Sequence, residues 1–223
     1  MTYKTEFLQA IANSEALGVK DPVQGCIDIS KEYLDSSTKA AIESLFQKHI
    51  LSSPEAVKYL VGGCMRINSL FKPVLEDFFK QEIMITTGYT RWFGQEQFTT
   101  PYSELRDAAL NNKPRPSWYT HTWLTLPSLE VIDVTISHSM NHVYPGIEKL
   151  LPAIKMDKNP FGLNERIVEL HPILVGEEVL HKISIVVFSE TFEDHDKTIQ
   201  GQLRDITSSL ESIKGFDQYH SNH

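Results

Sequence analysis

Three residues able to carry out nucleophilic acyl chemistry stand at positions 64, 121 and 133 of this 223-residue chain: a cysteine, a histidine and an aspartate. Cys64 follows Gly62 and Gly63 and opens the segment CMRINSLFKPVLEDFF. A thiol at the first turn of a helix meets backbone N–H groups and a helix dipole that favour the thiolate, and two preceding glycines leave room for an acyl group beside the sulfur. His121 begins and Asp133 ends the stretch HTWLTLPSLEVID. A carboxylate on one nitrogen of an imidazole fixes its tautomer and stabilises the imidazolium, so the other nitrogen can serve as a base. The expected roles are Cys64 as nucleophile, His121 as base and Asp133 as the orienting acid.

Whether His121 and Asp133 can meet depends on a turn. Side chains alternate along a strand, so Tyr119, His121, Trp123 and Thr125 share one face, as do Val131, Asp133 and Thr135 on the next strand. A three-residue loop of Leu126-Pro127-Ser128 pairs Thr125 with Leu129 and sets His121 directly opposite Asp133, with β-carbons about 5 Å apart. A two-residue Pro127-Ser128 turn would place them on opposite faces. Pro-Ser suits the primed two-residue turns poorly, so the odd-length loop is expected, with Nδ1 of His121 on the carboxylate and Nε2 as the base.

The surrounding elements follow from periodicity. Residues 5–17 and 37–50 carry apolar side chains at helical spacing, with Ser36 or Ser37 capping the second segment, and Ser53-Pro54-Glu55 opens a short helix ended by Gly62-Gly63. The helix from Cys64 presents Ile67, Leu70, Phe71, Val74, Leu75 and Phe78 as one stripe, and Pro73 should kink or restart it. IMITTGYTRWF, SWYTHTWLTL and LEVIDVTI are rich in β-branched and aromatic residues and predict three strands; RIVELHPILV and VLHKISIVVFSE predict two more. Between the first two strands, GQEQFTTPYSELRDAALNNKPRP holds one helix starting near Ser103 and a proline-bearing loop, an insertion suited to a lid or a substrate wall. Ile199, Leu203, Ile206, Leu210 and Ile213 predict a last helix over 196–214, docked on the core rather than paired in a coiled coil. The expected organisation is a helical N-terminal part, 1–60, and a catalytic core, 61–223, in one compact domain.

With these elements in place the sequence resembles the papain-like thiol enzymes, and within them the transglutaminase-like and arylamine N-acetyltransferase branches. GGCMRINSLFKPVLEDF looks like the Gly-Gly-x-Cys-x-x-x-Asn segment of the acetyltransferases, with the residue between glycine and cysteine missing here. HTWLTL followed by VIDVT is similar to the His-x-Trp and Asp-x-Thr strands of transglutaminase-like peptidases. The resemblance covers roughly residues 60 to 136. It implies an α+β papain-like fold with a central antiparallel sheet and a C-terminal helix, and a Cys64, His121, Asp133 triad. The function it implies is hydrolysis of an amide or peptide bond by a cysteine peptidase, amidase or deamidase. The alternatives are an amine acyltransferase of transglutaminase or N-acetyltransferase type, or a catalytically silent papain-like binding module.

Cys26, in VQGC, is a competing nucleophile, but its glutamine stands too close to the cysteine to complete an oxyanion hole, and a buried thiol is the simpler role. His138 and His142 in HSMNH lack the HExxH glutamate and a helical apolar pattern, so neither a metal nor another cofactor is expected. Trp118, Trp123, Tyr89 and Trp92 belong either to a cleft or, more simply, to the core. A net charge of −8 without any Lys/Arg cluster argues against a nucleic-acid or anionic-membrane surface. The N-terminus lacks the apolar run of a signal peptide and no segment is long enough to span a bilayer, so a cytoplasmic protein acting on a peptide, protein or small amide is expected.

Overall fold

The computed structural model describes residues 2–19, 27–46, 57, 60–113, 118–146, 154–157 and 168–183. Cys26, the helix start at Ser53-Pro54-Glu55 and the stripe from Ile199 to Ile213 lie outside them. The described residues form a mixed α+β structure in two compact units: those within 1–32, 82–133 and 157–187, and those within 33–81 and 134–156. Among the described residues no helix is long and apolar enough to cross a membrane.

The first unit is organised by β1 (Met84–Trp92). Its threonines, Ile85, Tyr89 and Trp92 suit a strand buried on both faces, and it has partners along both edges. One edge carries β3 (His121–Thr125), with Gly88 opposite His121, and then β2 (Gln95–Gln97). The other edge carries β6 (Val168–Val175), and β4 (Val131–Asp133) extends the sheet beyond β3; these pairings are all antiparallel. Helix α1 (Tyr3–Glu15), capped by the Thr2 side chain on Thr5 N–H, lies on β6. Asn13 donates to the Ile173 carbonyl at 3.0 Å, and the Ser14 hydroxyl accepts from the Val175 N–H at 2.8 Å.

The insertion after β1 begins with a tight hairpin absent from the periodicity reading. Trp92 pairs with Gln95 across Phe93 and Gly94, which have φ of 50° and 80°, as a primed two-residue turn requires. Helix α4 (Tyr102–Leu110) then forms where expected. A larger correction follows β6. VLHKI is not a strand: it belongs to helix α6 (Glu177–Ile183), set off by Gly176 at φ 115°. Val179, Leu180 and Ile183 are buried, a helical spacing that β propensity obscures, while Glu177 and Glu178 in the first turn and Lys182 in the last complement the helix dipole.

The second unit contains α2 (Ser36–Phe46), α3 (Cys64–Phe79) and α5 (Ile136–Val143). The cap of α2 is neither serine: Asp35 accepts from the Thr38 N–H at 2.7 Å, and this bond holds its carboxyl below the ordinary carboxylate range. Helix α3 buries Ile67, Phe71, Leu75 and Phe78 and continues through Pro73, where the proline removes one backbone bond and crowds the preceding turn while the apolar stripe runs on past it. The strand expected over LEVIDVTI stops at Asp133, and HSMNH is helical after all, since Ile136 and Met140 give α5 a buried side at i, i+4. Strand β5 (Lys155–Asp157) completes the described elements.

Candidate active site

His121 and Asp133 are in direct contact. The Nε2–H of His121 donates to Oδ2 of Asp133 at 2.6 Å, and the two side chains are 1% and 0% exposed. The expected odd-length turn forms, one residue later than expected. Leu126 N–H bonds the Glu130 carbonyl and Leu129 N–H bonds the Leu126 carbonyl, both at 2.8 Å, so the loop is Pro127-Ser128-Leu129. Leu129 takes φ 68°, the left-handed residue that closes a three-residue hairpin.

That one-step shift preserves the shared face but changes the geometry. Leu124 pairs with Ile132 and Thr125 with Val131, which brings Asp133 level with Trp123 and leaves His121 on the diagonal. A diagonal pair is separated by about 7–8 Å between backbones, against about 5 Å for a direct pair, so the far nitrogen of the ring makes the bond. The expectation of Nδ1 on the carboxylate is therefore reversed. With hydrogen fixed on Nε2, the neutral ring carries its lone pair on Nδ1.

Two rings set the position of His121: Phe98, which strand alternation does not place there, and Trp123, which shares its strand face. The Phe98 ring lies 5.3 Å from the imidazole at 26°, and Trp123 lies 6.1 Å away at 23°. Trp123 in turn donates from Nε1 to the Tyr3 hydroxyl at 2.9 Å; that hydroxyl is 3.0 Å from Thr125 Oγ1, which is 2.8 Å from Thr86 Oγ1. Burial pushes the Tyr3 phenol well above its ordinary range, so it stays neutral and accepts from Trp123. Gly88 makes the fit possible: a β-carbon there would stand 2.9 Å from the Trp123 ring and 2.0 Å from the His171 carbonyl oxygen. Its glycine in mid-strand was the available signal, since such a residue marks close approach. Tyr3 and Phe98 carried no comparable signal.

Cys64 is a free thiol, half-buried, at the first position of α3, and it belongs to the second unit. Gly62 has φ 77° and Gly63 is the N-cap, so the glycine pair builds the entry to the helix. Asn68 Nδ2 donates to the Cys64 carbonyl at 2.8 Å and tightens that first turn. The structure thus brings together two of the three expected residues and places the third at a helix start in the other unit.

The remaining candidates have separate places. Trp92 and Trp123 are core residues, Tyr89 stacks on His171 at 4.5 Å, and Trp118 Nε1 donates to the Ile183 carbonyl at 2.6 Å. Among the described residues no group of three or more His, Cys, Asp and Glu side chains is placed to hold a metal ion, His138 and His142 included. No family model, no curated protein and no solved structure matches the chain.

Proposed function

We propose that this chain catalyses thiol-dependent acyl transfer on a papain-like, transglutaminase-like fold, with hydrolysis of an amide or peptide bond as the reaction. The observation that carries the reading is the buried 2.6 Å bond between His121 and Asp133 on one face of a hairpin. In the reaction Cys64 Sγ attacks the substrate carbonyl while Nδ1 of His121 takes the thiol proton, and the Asp133 carboxylate stabilises the imidazolium. The backbone N–H of Cys64 is one donor to the oxyanion. Collapse of the tetrahedral adduct breaks the C–N bond and returns the proton to the leaving amine. Water, deprotonated by the same imidazole, then releases the acid from the thioester; an amine in place of water would make the enzyme a transferase.

Iodoacetamide alkylation between pH 5 and 8, with mapping of the labelled cysteine, tests the assignment. Fast labelling is expected in wild type and Cys26→Ala, lost in Cys64→Ala and slowed in His121→Gln. Fast labelling that survives Cys64→Ala would move the nucleophile to Cys26. The burial of both His121 and Asp133 favours one competing reading, a silent binding module in which the pair only stabilises the hairpin. In that case His121→Gln would lower the melting temperature without changing the rate at Cys64.

A further inference from the structure

β2 is a three-residue edge strand whose Gln95 and Glu96 are exposed, and Phe98 follows it at φ 61°. A bulky residue in left-handed backbone is costly and persists only where its surroundings hold it. Here the chain is held on both sides. Gln97 pairs with Thr90, and Thr100 bonds the Tyr119 carbonyl through its N–H at 3.0 Å and its hydroxyl at 2.8 Å. Tyr119, itself exposed, donates from its hydroxyl to Gln97 Oε1 at 3.3 Å. Between these anchors the half-exposed Phe98 ring meets Trp92 edge-on at 5.4 Å, Tyr119 at 5.3 Å and the His121 imidazole at 5.3 Å. An outer, strained aromatic residue on an edge hairpin therefore lies against a histidine that is 1% exposed.

From this geometry we infer that Phe98 is a lid on His121, and that a reacting group reaches the imidazole only when the Phe98 ring leaves it. The stored cost of the left-handed backbone lowers the additional cost of leaving, while the aromatic contacts favour return. The inference rests on His121 being the base, but it concerns access to the ring and can be read without turnover. Tyr119 and Gln97 are the hinge side of the lid, because their hydrogen bond ties the β2 end to the start of β3.

Diethyl pyrocarbonate, which acylates histidine nitrogens, reads access directly when the modified peptide is quantified. In the 223-residue chain His121 is expected to react slowly in wild type and about two- to tenfold faster in Phe98→Ala, the change expected from losing one aromatic contact. His171, also buried and in the same unit, is the internal reference and should keep its rate. An unchanged His121 rate in folded Phe98→Ala, or a parallel rise at His171, would overturn the lid. Should Phe98→Ala unfold, Phe98→Val and Phe98→Tyr decide: valine is expected to raise the rate and tyrosine to preserve wild-type protection, and equal rates in the two would overturn it. Cys64 plays no part in this readout, so failure of the acyl-transfer reading, seen in the alkylation series, is distinguishable from failure of the lid.

Discussion

The interior of the sheet unit and that of the helical unit are stabilised in different ways. Around β1 and β3 the interior is threaded with polar groups: Thr86, Thr87, Thr90, Thr122, Thr125, His121 and Asp133 are all buried. Tyr3, Trp123, Thr125 and Thr86 form a continuous line of short contacts. Beside α2 and α3 the buried contacts are mainly apolar, with Phe46 edge-on to Phe71 at 4.6 Å and Phe78 edge-on to Phe79 at 4.8 Å, although Asn68 on α3 is buried as well and bonds the Cys64 carbonyl. Hydrogen bonds are directional and fix a side chain's angle, whereas apolar packing fixes volume and tolerates substitution of similar size. A histidine that must present one particular nitrogen is better served by the first kind of interior. A thiol at a helix start needs only the helix and its glycine entry.

The largest expected effect separates a directional role from a packing role at Asp133. Asp133→Asn keeps the volume but loses the charge that, in the proposed mechanism, stabilises the imidazolium. Acyl turnover, or alkylation at Cys64, is expected to fall by up to about 10⁴, less if the intrinsic nucleophilicity of the thiol compensates. The melting temperature should change far less. A variant that melts many degrees lower with wild-type reactivity at Cys64 would make the carboxylate structural and favour the silent module.

Gly88→Ala should be the most damaging small change in the sheet. Its β-carbon would collide with backbone at 2.0 Å, so the β1–β6 pairing must shift, at a cost of about 3 kcal/mol or more in denaturant unfolding. A midpoint close to wild type would show that the bulge between Thr87 and Gly88 absorbs the methyl group.

Tyr3→Phe removes the hub of the polar thread and leaves the Trp123 N–H without its buried acceptor, for a loss of about 1–3 kcal/mol. It also tests a pH dependence. The Tyr3 phenol is raised in the folded state, so its contribution is fully present below the ordinary tyrosine value of about 10 and is lost as pH rises beyond it towards the folded value. The stability difference between wild type and Tyr3→Phe should therefore shrink above about pH 10. A difference independent of pH would mean that the hydroxyl contributes through packing alone.

The smallest effect is expected in the helical unit. At Gly62 a β-carbon meets nothing within 4 Å, so Gly62→Ala costs only the left-handed backbone at φ 77°, about 1–2 kcal/mol. Alkylation at Cys64 should be almost unchanged if the helix entry is preserved; a large loss of reactivity would show that the approach to the sulfur depends on the turn itself.

Much of this was legible in the residues. The α3 stripe from Cys64, strand β1 and the helix near Ser103 follow from periodicity, because a buried face imposes its spacing on the chain. The two short helices α5 and α6 did not, since eight and seven residues give too few turns for the helical period to outweigh β-branched composition. The cap of α2 moved to Asp35 because a carboxylate and a serine two residues apart offer equivalent local choices, and only the backbone path selects one.

For the candidate site, the sequence by itself determined that His121 and Asp133 share a face, because side-chain alternation makes every odd-length loop equivalent in this respect. Only the tertiary structure decided how they meet. Whether the loop begins at Leu126 or Pro127 is a difference of one residue in a turn that either register could close. The hydrogen bonds of Leu126 and Leu129 select the later start, the diagonal follows, and the bond passes from Nδ1 to Nε2. Strand alternation already sets Trp123 beside His121, but Phe98 over the ring and Tyr3 behind Trp123 depend on contacts as distant as 122 residues along the chain, between Tyr3 and Thr125, which no local pattern encodes.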